Sequence, residues 1–145
     1  MPQIERIISR GQLVAFTFTQ ADLAASQTDV QLSVSAVDNA ADDQLQVDGY
    51  VVPFDGEIVG ITARLSAAAT TGTLTVGPTV NGTEKADPTL SITTQQSRTD
   101  TAPRGTAPFV AGDLIGAEIT TGGTWDGTTA DLCVVVYAIL YVEGI

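Results

Sequence analysis

No histidine occurs among the 145 residues, and this narrows the available chemistry at once. Imidazole is the side chain that moves protons near neutral pH, activates serine and cysteine nucleophiles, and supplies the usual zinc ligands. Carboxylates, one thiol and one indole remain. Seventeen acidic residues allow many pairings of the kind that cleave glycosidic bonds, but their spacing singles out none. Asp38, Asp42, Asp43 and Asp48 crowd one segment, where clustered oxygens suit calcium. The spacing of a calcium-binding loop is missing, so a solvated acidic loop is the better reading. Cys133, the only cysteine, lies in an apolar run and reads as a buried, inert thiol with no intrachain disulfide. Trp125, between Gly123 and Gly127, is a candidate ligand platform of the sugar-stacking kind or a plug for the end of a sandwich, and the plug is preferred. No glycine cluster forms a phosphate-cradling loop. The expectation is a non-catalytic protein with no cofactor and no bound metal.

The formal charge is −11, with six basic residues: Arg6, Arg10, Arg64, Lys85, Arg98 and Arg104. An acidic surface repels phosphate, so neither nucleic acid nor an anionic membrane is an expected partner. Arg6 and Arg10 make the first ten residues locally cationic on an acidic body, which suits a negative counterpart. The N-terminus has no signal-peptide pattern. The longest apolar stretch, 132–142, falls short of the roughly 18 residues of a membrane helix. The protein is expected to be cytosolic where it is made, with any exterior location reached by assembly or lysis.

The elements that must position these groups are strands. Hydrophobic residues make up 43% of the chain and charged residues 16%, a globular balance. Threonine and valine are abundant, and their branched Cβ atoms suit a pleated, half-buried surface. Residues 1–11, with Ile4, Ile7 and Ile8 before Gly11, read either as an arm that finds another chain or as a first edge strand. Strand patterns follow at 13–19, 30–37, 50–52, 57–66, 72–80, 109–110, 114–120 and 131–142, with a short helical turn within 20–28. The Asp55-Gly56 and Asn81-Gly82 pairs mark reversals. Residues 83–108 are polar and rich in threonine and proline, and they read as a long surface excursion. The fold expected is a single all-β domain, an antiparallel β-sandwich or jelly roll over 12–145 with the N-terminal arm at 1–11.

The final strand is apolar on both faces. Cys133, Val135, Tyr137, Ile139 and Tyr141 alternate with Leu132, Val134, Val136, Ala138, Leu140 and Val142. One face can fill a sandwich interior; the other needs a cover, and a neighbouring subunit is the economical one. Val134, Val136, Tyr137, Ile139 and Tyr141 are therefore expected at a subunit interface, with the choice of face left open.

Several segments together carry a resemblance. They are Val51-Val52-Pro53-Phe54-Asp55-Gly56-Glu57-Ile58-Val59-Gly60-Ile61, Thr73-Leu74-Thr75-Val76 leading to Val80-Asn81-Gly82-Thr83, Phe109-Val110-Ala111-Gly112-Asp113-Leu114-Ile115-Gly116, and Asp131 to Tyr137. Over residues 50–142 this order resembles small β-sandwich structural proteins of tailed bacteriophages, including capsid decoration proteins and the heads of some fibres. It is more loosely similar to the C1q and tumour-necrosis-factor jelly rolls. The resemblance implies a homotrimer on the outer capsid surface that clamps the major capsid protein and stabilises the shell. Ile4, Arg6, Ile7, Ile8 and Arg10 would form the capsid-binding arm, a role that physics alone suggests because residues 1–49 carry no match. Two alternatives stand beside it: a fibre or receptor- and carbohydrate-binding head, with Trp125 and the 83–108 excursion forming its site, and an internal or tail structural protein.

Overall fold

Alternation of apolar and polar side chains builds two antiparallel sheets that share one interior. The computed structural model describes residues 11–34 and 47–142, so the acids Asp38, Asp42 and Asp43 and the arm residues Ile4, Arg6, Ile7, Ile8 and Arg10 lie outside the described residues. Among the described residues eleven strands occur in order: β1 (Gln12–Gln20), β2 (Val30–Gln31), β3 (Tyr50–Val51), β4 (Gly56–Leu65), β5 (Leu74–Val80), β6 (Thr83–Glu84), β7 (Leu90–Ile92), β8 (Ser97–Thr101), β9 (Ala107–Phe109), β10 (Leu114–Thr121) and β11 (Leu132–Leu140). The first sheet runs β1-β11-β4-β8, with β9 also on β4; the second runs β2-β10-β5-β6, with β3 also on β10 and β7 also on β5. The short strands double up along one edge of a longer neighbour, so each sheet is four strands wide. This is the all-β sandwich that the alternation predicts.

Phe18, Ile58, Ile61, Leu65, Val134 and Val136 from the first sheet meet Leu74, Val76, Ile92, Ile115 and Ile119 from the second, and all are essentially inaccessible. Burying each such side chain contributes about 1.5–3 kcal/mol. Leu23, Leu32 and Val52 seal the interior from the connecting segments. The Asn81-Gly82 reversal takes positive φ at both residues (53° and 78°), the conformation a two-residue hairpin turn requires.

Three expectations need correction. Residues 83–108 are not an excursion, since β6 and β7 pair with β5 while β8 and β9 pair with β4. Their strands are only two to five residues long, too short to show a period among the threonines. No helical turn forms within 20–28; Asp22 and Ser26 take positive φ (49° and 60°), and the segment is stitched to the loop before β11 by Leu23 N–H to Ala130 C=O. The strand expected at 30–37 is regular only over Val30–Gln31, with one further bridge from Ser33 to Thr19, and beyond Val34 it leaves the described residues.

Candidate functional site

The side chains with chemical potential are dispersed. Trp125 is 3% exposed and belongs to the core, which corrects the ligand-platform expectation. Its backbone lies against Gly72 and its ring against Gly127, where an added Cβ would clash at 2.5 Å in each case. The two glycines let the indole sink between the sheets, so it presents no stacking surface. Cys133 is exposed, not buried, because it occupies the outward phase of β11 beside Thr19 and Arg64. Among the described residues no group of three or more His, Cys, Asp or Glu could hold a metal ion.

What the fold does assemble is a surface. β11 lies between β1 and β4, and its register decides which residues share each face. Leu132, Val134, Val136 and Ala138 are buried, while Val135, Tyr137 and Ile139 are only half-buried. The expectation that Val134 and Val136 belong to a subunit interface is therefore corrected: both are 0% exposed within this chain's own core. Tyr137 and Ile139 lie on the outer face. Ala15 and Leu13 of β1 stand opposite them, and Leu13 is 62% exposed. On the other side Gly60 pairs with Tyr137 and Thr62 with Val135. Leu13, Val59, Thr62, Thr99 and Tyr137 line a depression of about 260 Å³ on this face.

One end of the face is closed by a charge pair. Glu57 pairs with Ile139 in register, yet its side chain is 3% exposed because the 102–106 loop folds over it. The Arg104 guanidinium and the Gly105 N–H each donate to a different carboxylate oxygen of Glu57. Arg104 also donates to the Tyr141 hydroxyl at 3.3 Å and lies 5.8 Å from the ring centre. A hollow of about 710 Å³ at the opposite end runs from Gln20 and Asp22 past Arg64 to Cys133.

No protein-family model and no curated protein matches this sequence. Solved structures similar to the chain include the acidic stable capsid structure of Helicobacter pylori bacteriophage KHP30, at 8% identity and TM-score 0.49 over 90% of this chain and 89% of that one. The cyanophage Pam1 capsid asymmetric unit is similar at 14% identity and TM-score 0.47, over 90% of this chain and 86% of that one. The globular domain of zebrafish complement 1qA is similar at 17% identity and TM-score 0.38, over 90% and 98%. Identities and scores of this size carry no function across.

The outer face of the second sheet is of a different character. Glu118 is 7% exposed, accepts a hydrogen bond from Gln31 Nε2 at 2.8 Å, and stands opposite Gly77. Burial pushes its carboxyl above the ordinary range, and the nearby charges of Glu84 and Asp29 add to the rise. Thr79 donates to Gln31 Oε1 at 3.2 Å. One sheet thus presents hydrocarbon and the other a hydrogen-bonded polar layer. The sequence shows that β11 is apolar on both faces; it does not show that β1 lies beside β11 and extends the patch through Leu13 and Ala15, because that depends on pairing between opposite ends of the chain.

Proposed function

We propose that the chain is a structural virion protein, a capsid decoration or cement protein that binds the outer surface of a tailed-bacteriophage shell as a homotrimer and stabilises it. The observation that carries this reading is the apolar outer face of β1, β11 and β4, where Leu13, Val59, Tyr137 and Ile139 stand together. A sheet face of that kind favours cover by a sister subunit. In a closed trimer each such face meets a different surface of the next copy. Tyr137, Ile139 and Tyr141 are the interface residues in this proposal. The partner outside the trimer is the major capsid protein, gripped by the 1–11 arm through Ile4, Arg6, Ile7, Ile8 and Arg10. Three arms acting together multiply a weak single contact. The role is structural and not catalytic, and the protein is made in the host cytoplasm before joining the outside of the virion.

The alternative, a fibre or carbohydrate-binding head, loses its platform with Trp125 inside the core. Sedimentation of the purified chain, alone and mixed with expanded capsids, tests the proposal. The expected result is a trimer that co-sediments with capsids and, after deletion of residues 1–10, remains a trimer but stays in the supernatant. A monomer at high concentration would overturn the assembly, and undiminished binding by the shortened chain would overturn the arm.

A further inference from the structure

The outer face of the second sheet is sealed by polar side chains lying flat upon it. On β5 the outward phase falls on Thr75, Gly77 and Thr79, yet only Thr75 is exposed. On β10 the same phase includes Gly116 and Glu118, and both are buried. Two glycines form the floor: Gly116 stands beside Thr79, and Gly77 beside Glu118. A Cβ on Gly116 would meet Thr79 Oγ1 at 2.7 Å, the Asp48 carbonyl oxygen at 2.8 Å and Gln31 Oε1 at 3.2 Å. A Cβ on Gly77 would run into the Glu84 carboxyl oxygen and, at 2.8 Å, Cδ and Cγ of the same side chain.

These side chains form one row of contacts. The Thr79 hydroxyl donates to Gln31 Oε1 and Gln31 Nε2 donates to Glu118 Oε2, so both ends of the amide are used. Next comes Glu84, which β6 brings into register with Thr79. Its carboxyl crosses Gly77 into hydrogen-bonding range of Glu118. Ionised carboxylates only accept, so this link closes when one proton lies between the two. The surroundings favour keeping that proton. Asp29, before β2, is the other charge acting on Glu118, and among the described residues no cation acts on it. Lys85, the chain neighbour of Glu84, acts on Asp113 instead. β5 contributes only Thr75, Gly77 and Thr79, and the segment before β3 contributes the Asp48 carbonyl. Like charges at one site, one of them desolvated, disfavour double ionisation.

We propose that Glu84 and Glu118 share a single proton across Gly77 and so work as a pH-operated cover on the second sheet. With the proton in place, the Glu118 carboxyl donates to the Glu84 carboxylate and the row from Thr79 to Glu84 is unbroken. When pH rises the proton passes to solvent and the two carboxylates repel. Glu118 is buried in the sheet, whereas Glu84 is exposed on a two-residue strand, so Glu84 is the member that swings away. That uncovers Gly77 and leaves the face with one more negative charge. The folded chain holds the proton more tightly than the unfolded chain, so the contribution to stability is complete in acid and is lost as pH rises through the pair's range. The device needs neither oligomer nor capsid and stands apart from the decoration reading.

Carbon-13 NMR of the glutamate carboxyls in the full chain, followed through a pH titration, tests it. In the wild type Glu118 is expected to titrate above the ordinary carboxylate range. The Glu84 carboxyl carbon should show an inflection at the same midpoint, since coupled groups report each other's steps. Glu84→Gln keeps the cover and removes its charge, and should move the Glu118 midpoint downward. Gly77→Ala puts a methyl where the Glu84 carboxyl lies and leaves both acids in place. It should abolish the shared inflection while circular dichroism still reports the strand-rich fold. An unchanged Glu118 midpoint in Glu84→Gln overturns the proposal, because burial alone then holds the proton. So does a shared inflection that survives Gly77→Ala, or a wild-type Glu84 that titrates without trace of Glu118. If Gly77→Ala fails to fold, the wild-type titration and Glu84→Gln still decide.

Discussion

Glu57 and Ile61 are four residues apart on β4 yet face opposite sides of the sheet. The register with β11 slips between Tyr137 and Ala138, which pair with Gly60 and Ile58, so Val59 is an extra residue in the ladder. A bulge of this kind inverts the alternation beyond it. Ile58 enters the core at 0% exposure, and Glu57 turns outward to meet Arg104. Deleting Val59 restores a regular strand with both of those faces unchanged, whereas deleting Thr62 turns Ile61 out of the core. The first variant should fold with a smaller loss than the roughly 2–5 kcal/mol expected for Ile61→Ala. The second should not fold, as read by circular dichroism and melting.

The pair formed by Arg104 and Glu57 leads to a stability prediction. The Arg104 side chain is 49% exposed and that of Glu57 only 3%, so the carboxylate is the member that suffers when the pair is broken. Arg104→Ala leaves it with the Gly105 N–H and no counter-charge, at a cost of about 1–3 kcal/mol. For a domain of this size that lowers Tm by about 2–4 °C per kcal/mol. Adding Glu57→Gln to Arg104→Ala should recover part of the loss, because the orphaned charge is then gone.

Glu118 supplies a prediction of the opposite sign. Its carboxyl is raised by burial first and by Glu84 and Asp29 second, so the folded chain holds that proton more tightly than the unfolded chain. Protonation therefore favours the fold, and the ionised form works against it near neutral pH. Glu118→Gln should raise Tm at pH 7. The advantage should shrink as pH falls through the folded carboxyl's range, where the wild-type group becomes neutral too. A variant that is less stable at pH 7 would contradict this account.

Asp126 behaves in the reverse way. Hydrogen bonds from the Thr70 hydroxyl, from Thr71 N–H at 3.1 Å and from Thr70 N–H at 2.9 Å hold its carboxyl well below the ordinary carboxylate range. The unfolded chain then binds the proton more readily, so the contribution is complete above the ordinary range and fades as pH drops below it. Asp126→Ala should lower Tm at pH 7, and the gap to wild type should narrow steadily in acid. Melting curves from pH 7 down to pH 3 measure it.

The parts of the fold legible in sequence are those whose signal is local. Val134 and Val136 alternate with Tyr137 and Ile139 along one strand, and Asn81-Gly82 sets its own turn; both need only neighbours in the chain. The bulge at Val59 is silent, because an extra residue among apolar ones leaves no gap in the pattern. Short strands such as Leu90–Ile92 acquire their geometry from β5 and not from their own propensity. Trp125 shows the same limit: its flanking glycines fit a platform or a plug, and only the packing against Gly72 and Gly127 distinguishes them. Cys133 was hidden by the apolar run around it, where the phase of one strand decides exposure.

The division of β11 into two faces lets the proposed assembly be tested apart from folding. Val136 is 0% exposed, so Val136→Asp buries an unpaired carboxylate and should unfold the chain outright. Tyr137 and Ile139 are half-buried on the outer face, beside Leu13 and Ala15. Tyr137→Asp and Ile139→Asp should therefore retain a strand-rich circular dichroism spectrum and a cooperative melt while the species seen by sedimentation shrinks to a monomer. Leu13→Asp, at 62% exposure, should do the same with the least effect on the isolated fold. Oligomers that persist in all three outer-face variants would show that the hydrocarbon on this sheet is covered by something other than a sister subunit.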